Sequence, residues 1–235
     1  MAESYVVAAV AVPSHADPTG TSTDAGIVVP EDLQRVVTVF GGVFGESVRA
    51  RWGARGGTVI APAADLPADR VDRLFAALSA EAGVAVTATI VLGSPARIVE
   101  SIDRARELLE VVHRLGLRPG PYRFADLALE YQLTRPGPGR DRLEEMLAPL
   151  ERRFELWETL RSYIANGHLR GRTARELKIH PNTVDNRLKR VARLTGCDPL
   201  RPEGIWCLRS ALVVYAYRYG ATSAPHPADL ALALP

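Results

Sequence analysis

Apolar and polar positions follow two different periods along this chain, and the change of period marks a change of architecture. Residues 5–12, YVVAAVAV, are an unbroken apolar run that predicts a buried strand ending at Pro13. Residues 14–29, rich in Ser, Thr, Gly and Asp, predict a loop. From Pro30 onward Leu33, Val36, Val37 and Phe40 fall at helical spacing, and Gly41-Gly42 ends the pattern. SVRARWGARGGTVIAP then gives two short strands around GARGG, a hairpin signal. Leu66, Val71, Leu74, Phe75 and Leu78 predict a helix over 66–82 that stops at Gly83, and VAVTATIVL predicts a further strand. Ser94-Pro95 caps a long helix with Ile98, Ile102, Ala105, Leu109 and Val112 on one stripe. The order β-α-β-β-α-β-α predicts an α/β domain with a single sheet and flanking helices.

The break at RPGPGR, residues 135–140, closes that region. Beyond it the spacing is helical over 141–166, 172–179, 181–195 and 204–219, with a frayed or disordered tail after that. The division expected is an α/β sensory or dimerisation domain over 1–134, a linker and connecting helix over 135–153, an all-α domain over 154–220, and a tail over 221–235.

Composition changes this picture little; the distribution of charge changes it more. The whole chain of 235 residues carries only +2. Between Arg161 and Arg218, however, twelve Arg or Lys face four acids, a net +8, while the remaining residues carry seventeen against twenty-three, or −6. A basic C-terminal module on an acidic remainder suggests separate tasks, with a polyanion as partner of the basic part. Cys197 and Cys207 match no disulfide framework and no common zinc spacing, and read as reduced, buried, cytoplasmic residues. The first apolar run is too short to span a membrane, and it follows Glu3 where a signal peptide carries a basic segment.

The stretch HPNTVDNRLKRVARLTG, residues 180–196, gives the basic module its chemistry. Thr173, Ala174 and Leu177 predict a short helix, with Glu176 completing a possible capping box. KIH leaves room only for a tight turn, and Pro181 suits the first turn of a second helix. In that helix Val184, Leu188, Val191 and Thr195 share one face. Asn182, Asn186, Lys189 and Arg193 share the other. A short helix, a tight turn and an amphipathic helix with an Asn/Lys/Arg stripe predict a helix-turn-helix. Asn can contact adenine in bidentate fashion, and Arg or Lys can contact guanine or phosphate. Asn182, Thr183, Asn186, Lys189 and Arg193 are the candidate DNA contacts, with Arg172, Arg175 and Arg190 as candidate phosphate holders. His180, in the turn, is placed for a backbone or phosphate hydrogen bond. The helix-turn-helix reading calls for double-stranded DNA as partner and a homodimer spanning two half-sites.

The run TLRSYIANG…RTARELKIHPNTVDNRLKRVARLTGCDP resembles the C-terminal helix-turn-helix domain of the PucR/CdaR transcription regulators. The matching positions are Thr159, Leu160, Tyr163, Thr173, Ala174, Leu177, His180, Asn182, Thr183, Arg187, Leu188, Thr195 and Gly196. Pro181 stands where those domains usually have Arg, and Asp185-Asn186 stand in place of Arg-Tyr. Asp185 could accept a hydrogen bond from cytosine or repel a phosphate. The segments SPARIVESIDRARELLEVVHRLG and YRFADLALEYQL resemble the end of the GGDEF-like domain that precedes this helix-turn-helix in the same family. The resemblance implies a sequence-specific transcription regulator with a degenerate GGDEF-like front domain and an unidentified small-molecule effector.

Catalytic patterns are missing from the sequence. GGDEF cyclases hold metal ions on a triphosphate with carboxylates, whereas WGARGG and YVVAAVAVP contain no acid. The sequence has no G-x-x-x-x-G-K-[ST] loop and no H-E-x-x-H pair. His113 reads as a boundary residue, Trp52, Trp157 and Trp206 as core, and Tyr215, Tyr217 and Tyr219 as packing or interface residues. Arg55 with Gly56-Gly57 could meet an anion, though a plain turn explains them as well. No catalytic residue, metal ligand or cofactor is expected. The competing reading is a nucleotide or small-molecule receptor, or a scaffold, whose C-terminal helices mediate oligomerisation.

Overall fold

The computed structural model describes residues 3–12, 31–45, 48–53 and 56–220. The expected loop at 14–29, Pro30, Arg55 and the tail at 221–235 lie outside them. The chain divides into two compact units, one of residues 1–110 with 118–128, the other of residues 111–117 with 129–235.

The first unit is a mixed five-stranded sheet with helices on its faces. In chain order it comprises β1 (Tyr5–Ala11), α1 (Glu31–Phe44), β2 (Arg49–Gly53), β3 (Gly56–Pro62), α2 (Ala68–Ala82), β4 (Thr87–Gly93), most of α3 (Ile98–Arg114) and β5 (Pro121–Arg123). The sheet order is β2-β3-β1-β4-β5. β1 lies in the middle, antiparallel to β3 (Val7 opposite Ile60) and to β4 (Val7 opposite Val91). A β-α-β-β-α-β arrangement of this kind is ferredoxin-like. Because β1 is covered on both faces it has no polar alternation, and Val6 to Val12 are all buried. One face packs Val6, Ala8, Val10, Val59 and Ile90 against Leu33 and Val36 of α1 and Val71, Phe75 and Leu78 of α2.

The glycines of the hairpin answer to packing. A Cβ at Gly56 would lie 2.0 Å from the Val10 carbonyl oxygen, and one at Gly57 would lie 2.5 Å from the Trp52 indole. Trp52 in turn meets the Phe40 ring edge-on at 5.2 Å. Helix α1 runs through Gly41-Gly42 to Phe44, beyond the stop expected from those glycines. Gly83 closes α2 at φ 65°, as the sequence predicts.

Two sequence expectations change in this unit. Ser94 makes no side-chain cap; a 3-10 turn, Pro95–Arg97, leads into α3. The buried stripe of α3 is Ala105, Leu108, Val111 and Val112, whereas Ile98, Ile102 and Leu109 are only half-buried. The tie of α3 to the sheet explains the register: Thr89 Oγ1 donates to the Ala105 carbonyl at 2.5 Å, so residue 105 must face inward.

The second unit is helical: α4 (Phe124–Thr134) in its latter part, α5 (Pro138–Leu147), α6 (Phe154–Ala165), α7 (Arg170–Glu176), α8 (Pro181–Thr195) and α9 (Pro202–Tyr219). The helix expected over 141–166 is interrupted by a 3-10 turn, Ala148–Leu150, because Pro149 cannot continue the hydrogen-bond ladder. Leu147, Leu150, Leu156, Leu160, Leu208 and Leu212 form its core with Trp157. Tyr215 stacks 4.6 Å from both Trp157 and Tyr219, and Tyr217 lies under the Arg114 guanidinium at 4.8 Å, so the three tyrosines are packing residues. Trp206 departs from expectation: it is 58% exposed on α9. Cys207, expected to be buried, is exposed too, and Cys197 is half-buried. Among the described residues no helix is long and apolar enough to cross a membrane, and no group of three metal-ligating side chains occurs.

Candidate nucleic-acid interface

Three helices build the site. The turn after α6 has two left-handed residues, Gly167 at φ 63° and His168 at φ 65°. The backbone N–H of His168 donates to the Tyr163 carbonyl at 2.9 Å, closing the helix end. Asn166 adds a side-chain latch: its Nδ2 donates to Ser162 O at 2.8 Å and to Glu176. Glu176 therefore caps across the turn. The capping box expected between it and Thr173 does not form, since Thr173 lies inside α7 with its Oγ1 donating to Leu169 O at 3.1 Å.

The turn from α7 to α8 is as tight as KIH requires. Ile179 N donates to Ala174 O at 3.0 Å, with Lys178 between them in the left-handed region at φ 54°. Glycine usually holds that position. Ala174 is small because Tyr163, Val184, Leu188 and Ile179 close around it in one cluster. His180 is the N-cap of α8, with Nδ1 accepting from the Asn182 N–H at 3.2 Å, and Pro181 supplies the first helical residue. Gly196 ends the helix at φ 74°.

These constraints fix which side of α8 faces out. Val184, Leu188 and Val191 are 0% exposed. Asn182, Asn186, Lys189 and Arg193, spaced by four, three and four residues, lie exposed on the opposite side. Arg190 is exposed and Thr183 half-buried beside the stripe; His180 is exposed at its start. Arg172 and Arg175 are exposed on α7, and Arg175 Nε also donates to Gly171 O at 3.2 Å.

Two charged side chains of α8 serve the fold. Arg187 turns inward and its guanidinium donates to Thr159 Oγ1 at 3.2 Å and Glu155 O at 3.5 Å, both on α6. Asp185 pairs with Arg170 at 3.0 Å. The acid on this helix is thus neutralised from α7, and nothing local in the sequence signals either partner. His168, in the first turn, has its imidazole pushed below the ordinary range by burial and then by the nearby Arg209 guanidinium. Its Nε2 is buried with no hydrogen-bond partner among the described residues.

This geometry coincides with a known domain. Residues 156–214 match the family described as PucR C-terminal helix-turn-helix domain. The second unit carries a PucR-type helix-turn-helix. Three uncharacterized proteins, one of Mycobacterium bovis and two of Mycobacterium tuberculosis strains, are 44% identical to this chain over 64 residues. That stretch is 27% of this chain and 16% of each relative, so the likeness spans well under two thirds of their length. A solved regulator of polyketide synthase expression from Bifidobacterium adolescentis aligns over 92% of this chain and 82% of its own. It is 20% identical with a TM-score of 0.35. The PucR-type helices run from α6 into α9, with α8 at their centre.

Proposed function

We propose that this protein is a sequence-specific, DNA-binding transcription regulator of the PucR/CdaR type and not an enzyme. One observation carries the reading. α8 presents Asn182, Asn186, Lys189 and Arg193 outward while Val184, Leu188 and Val191 on its opposite side are fully buried. In the major groove, Asn182 and Asn186 would read adenine edges, and Lys189 and Arg193 would reach guanine or phosphate. Thr183 adds a hydroxyl beside the first of them, and Arg172, Arg175, Arg190 and His180 hold the backbone. One such helix reads only a few base pairs, so a homodimer spanning half-sites about 34 Å apart is the working form. In this scheme residues 1–134 sense or dimerise, residues 135–153 connect, and the protein acts in the cytoplasm.

The test is binding of the whole chain to a labelled duplex library across a salt series, with an Asn182→Ala/Asn186→Ala variant beside it. Sequence-selective binding that the variant loses is the expected result. Steep salt dependence without sequence preference would leave only the phosphate contribution. An absence of binding would turn the reading toward a receptor or scaffold.

A further inference from the structure

The first unit holds a cavity that the DNA reading does not use. Strand β5 is only three residues long and pairs with Ala88, Thr89 and Ile90 of β4. β4 continues to Gly93, so Val91 and Leu92 run past the end of their neighbour and leave a notch at the edge of the sheet. The chain that would have covered it turns instead into α4 at Phe124. The notch opens into a cavity of about 540 Å³, lined chiefly by Val6, Leu66, Val71, Ile90, Leu92 and Phe124. Cavities of roughly 300–1,000 Å³ suit small organic ligands. Leu92 is 70% exposed at its mouth and Phe124 39% exposed.

The polar groups of the lining have one sign. Arg104 and Arg123 are its charged members, and no carboxylate is among the residues that line it. Arg123 is held by Asp72 at 3.0 Å. The Arg104 guanidinium lies 5.8 Å from the centre of the Phe124 ring and makes no ion pair among the described residues. An apolar chamber with an uncompensated guanidinium at its rim is complementary to an amphipathic anion. We infer that this cavity binds a small organic acid, its apolar body against Leu66, Val71, Ile90 and Leu92 and its carboxylate on Arg104. The inference is independent of what the helical unit binds.

The experiment is calorimetric titration of the whole chain with 2-naphthoate and with 2-naphthalenemethanol, which has the same rings and no charge. The acid is expected to bind about tenfold more tightly than the alcohol, the scale of one charge-assisted contact. Arg104→Gln, an exposed substitution that spares the core, should bring the acid to the level of the alcohol and leave the alcohol unchanged. Ala125→Trp, at the exposed mouth, should abolish both. Equal binding of acid and alcohol to the unaltered protein overturns the inference. So does naphthoate binding that survives both substitutions, and so does no naphthoate binding at millimolar concentration.

Discussion

Asp185 of α8 reaches Arg170 of α7 at 3.0 Å and ties the supporting helix to the exposed one. The Asp185 side chain is 24% exposed and that of Arg170 60%, so the pair contributes no more than about 1 kcal/mol to stability. Its electrostatic effect is larger than its energy. Arg170→Ala leaves an unpaired carboxylate on the helix proposed to face DNA. Duplex affinity is expected to fall in Arg170→Ala and to recover in Arg170→Ala/Asp185→Asn. Fluorescence anisotropy over the four proteins of this double-mutant cycle checks it; equal losses in the single and the double variant would refute it.

Arg187 and Lys189 stand two residues apart and should behave oppositely. Lys189→Ala or Arg193→Ala is expected to lower the salt slope of DNA binding by about one each, without changing fold stability. Arg187→Ala should leave the slope unchanged. It should cost about 1–3 kcal/mol in denaturant unfolding, because Thr159 and the Glu155 carbonyl lose a charged donor.

Lys178 occupies a left-handed position at φ 54° that costs an L side chain about 1–2 kcal/mol. Lys178→Gly relieves this and gives back part of it in backbone entropy. A net gain of roughly 0.5–1 kcal/mol is expected. Lys178→Val should destabilise. A rise in melting temperature with Gly and a fall with Val are the readouts.

His168 makes stability depend on pH. Its folded value is depressed below the ordinary 6.5, so below that pH the unfolded chain takes up a proton that the folded one refuses. The contribution is fully present above about pH 6.5 and is lost as the pH falls toward the depressed folded value. His168→Asn keeps a residue that tolerates the left-handed turn. The difference in melting temperature between the two proteins should shift against the histidine protein between pH 7.5 and 5.5; a constant difference would rule the effect out.

Gly204 on α9 lies so close to the preceding loop that a Cβ would stand 2.0 Å from the Asp198 carbonyl oxygen. Neither side of that contact is a flexible side chain. Gly204→Ala is expected to cost about 1–3 kcal/mol by chemical denaturation, against the small gain that Ala ordinarily brings to a helix.

What could be read from the sequence was whatever its local pattern over-determined. Helix α8 falls at 181–195 as predicted because Pro181 and Gly196 bound it and Val184, Leu188 and Val191 repeat at helical spacing. The unbroken apolar run at 5–12 and the β-branched run VAVTATIVL likewise indicate β1 and β4. Long-range partners were not legible. Nothing near Arg187 indicates that Thr159, 28 residues earlier, turns it inward, and nothing near Asp185 indicates Arg170. β5 is too short to show a period, and only its pairing with β4 makes it a strand. Residue type alone predicts burial of Trp206 and Cys207, but the buried side of α9 is set by Gly204, Leu208, Ala211 and Leu212, and both residues fall off it.

The cap at the start of α8 also decides a matter of proton placement. His180 Nδ1 accepts the Asn182 N–H, so in that state the nitrogen carries no hydrogen. The neutral ring must then be the Nε2–H tautomer, which leaves a single outward donor at the entrance of the helix. A turn whose first duty is to close a helix end thereby also holds a hydrogen-bond donor at the place where the proposed DNA complex would bring a phosphate oxygen.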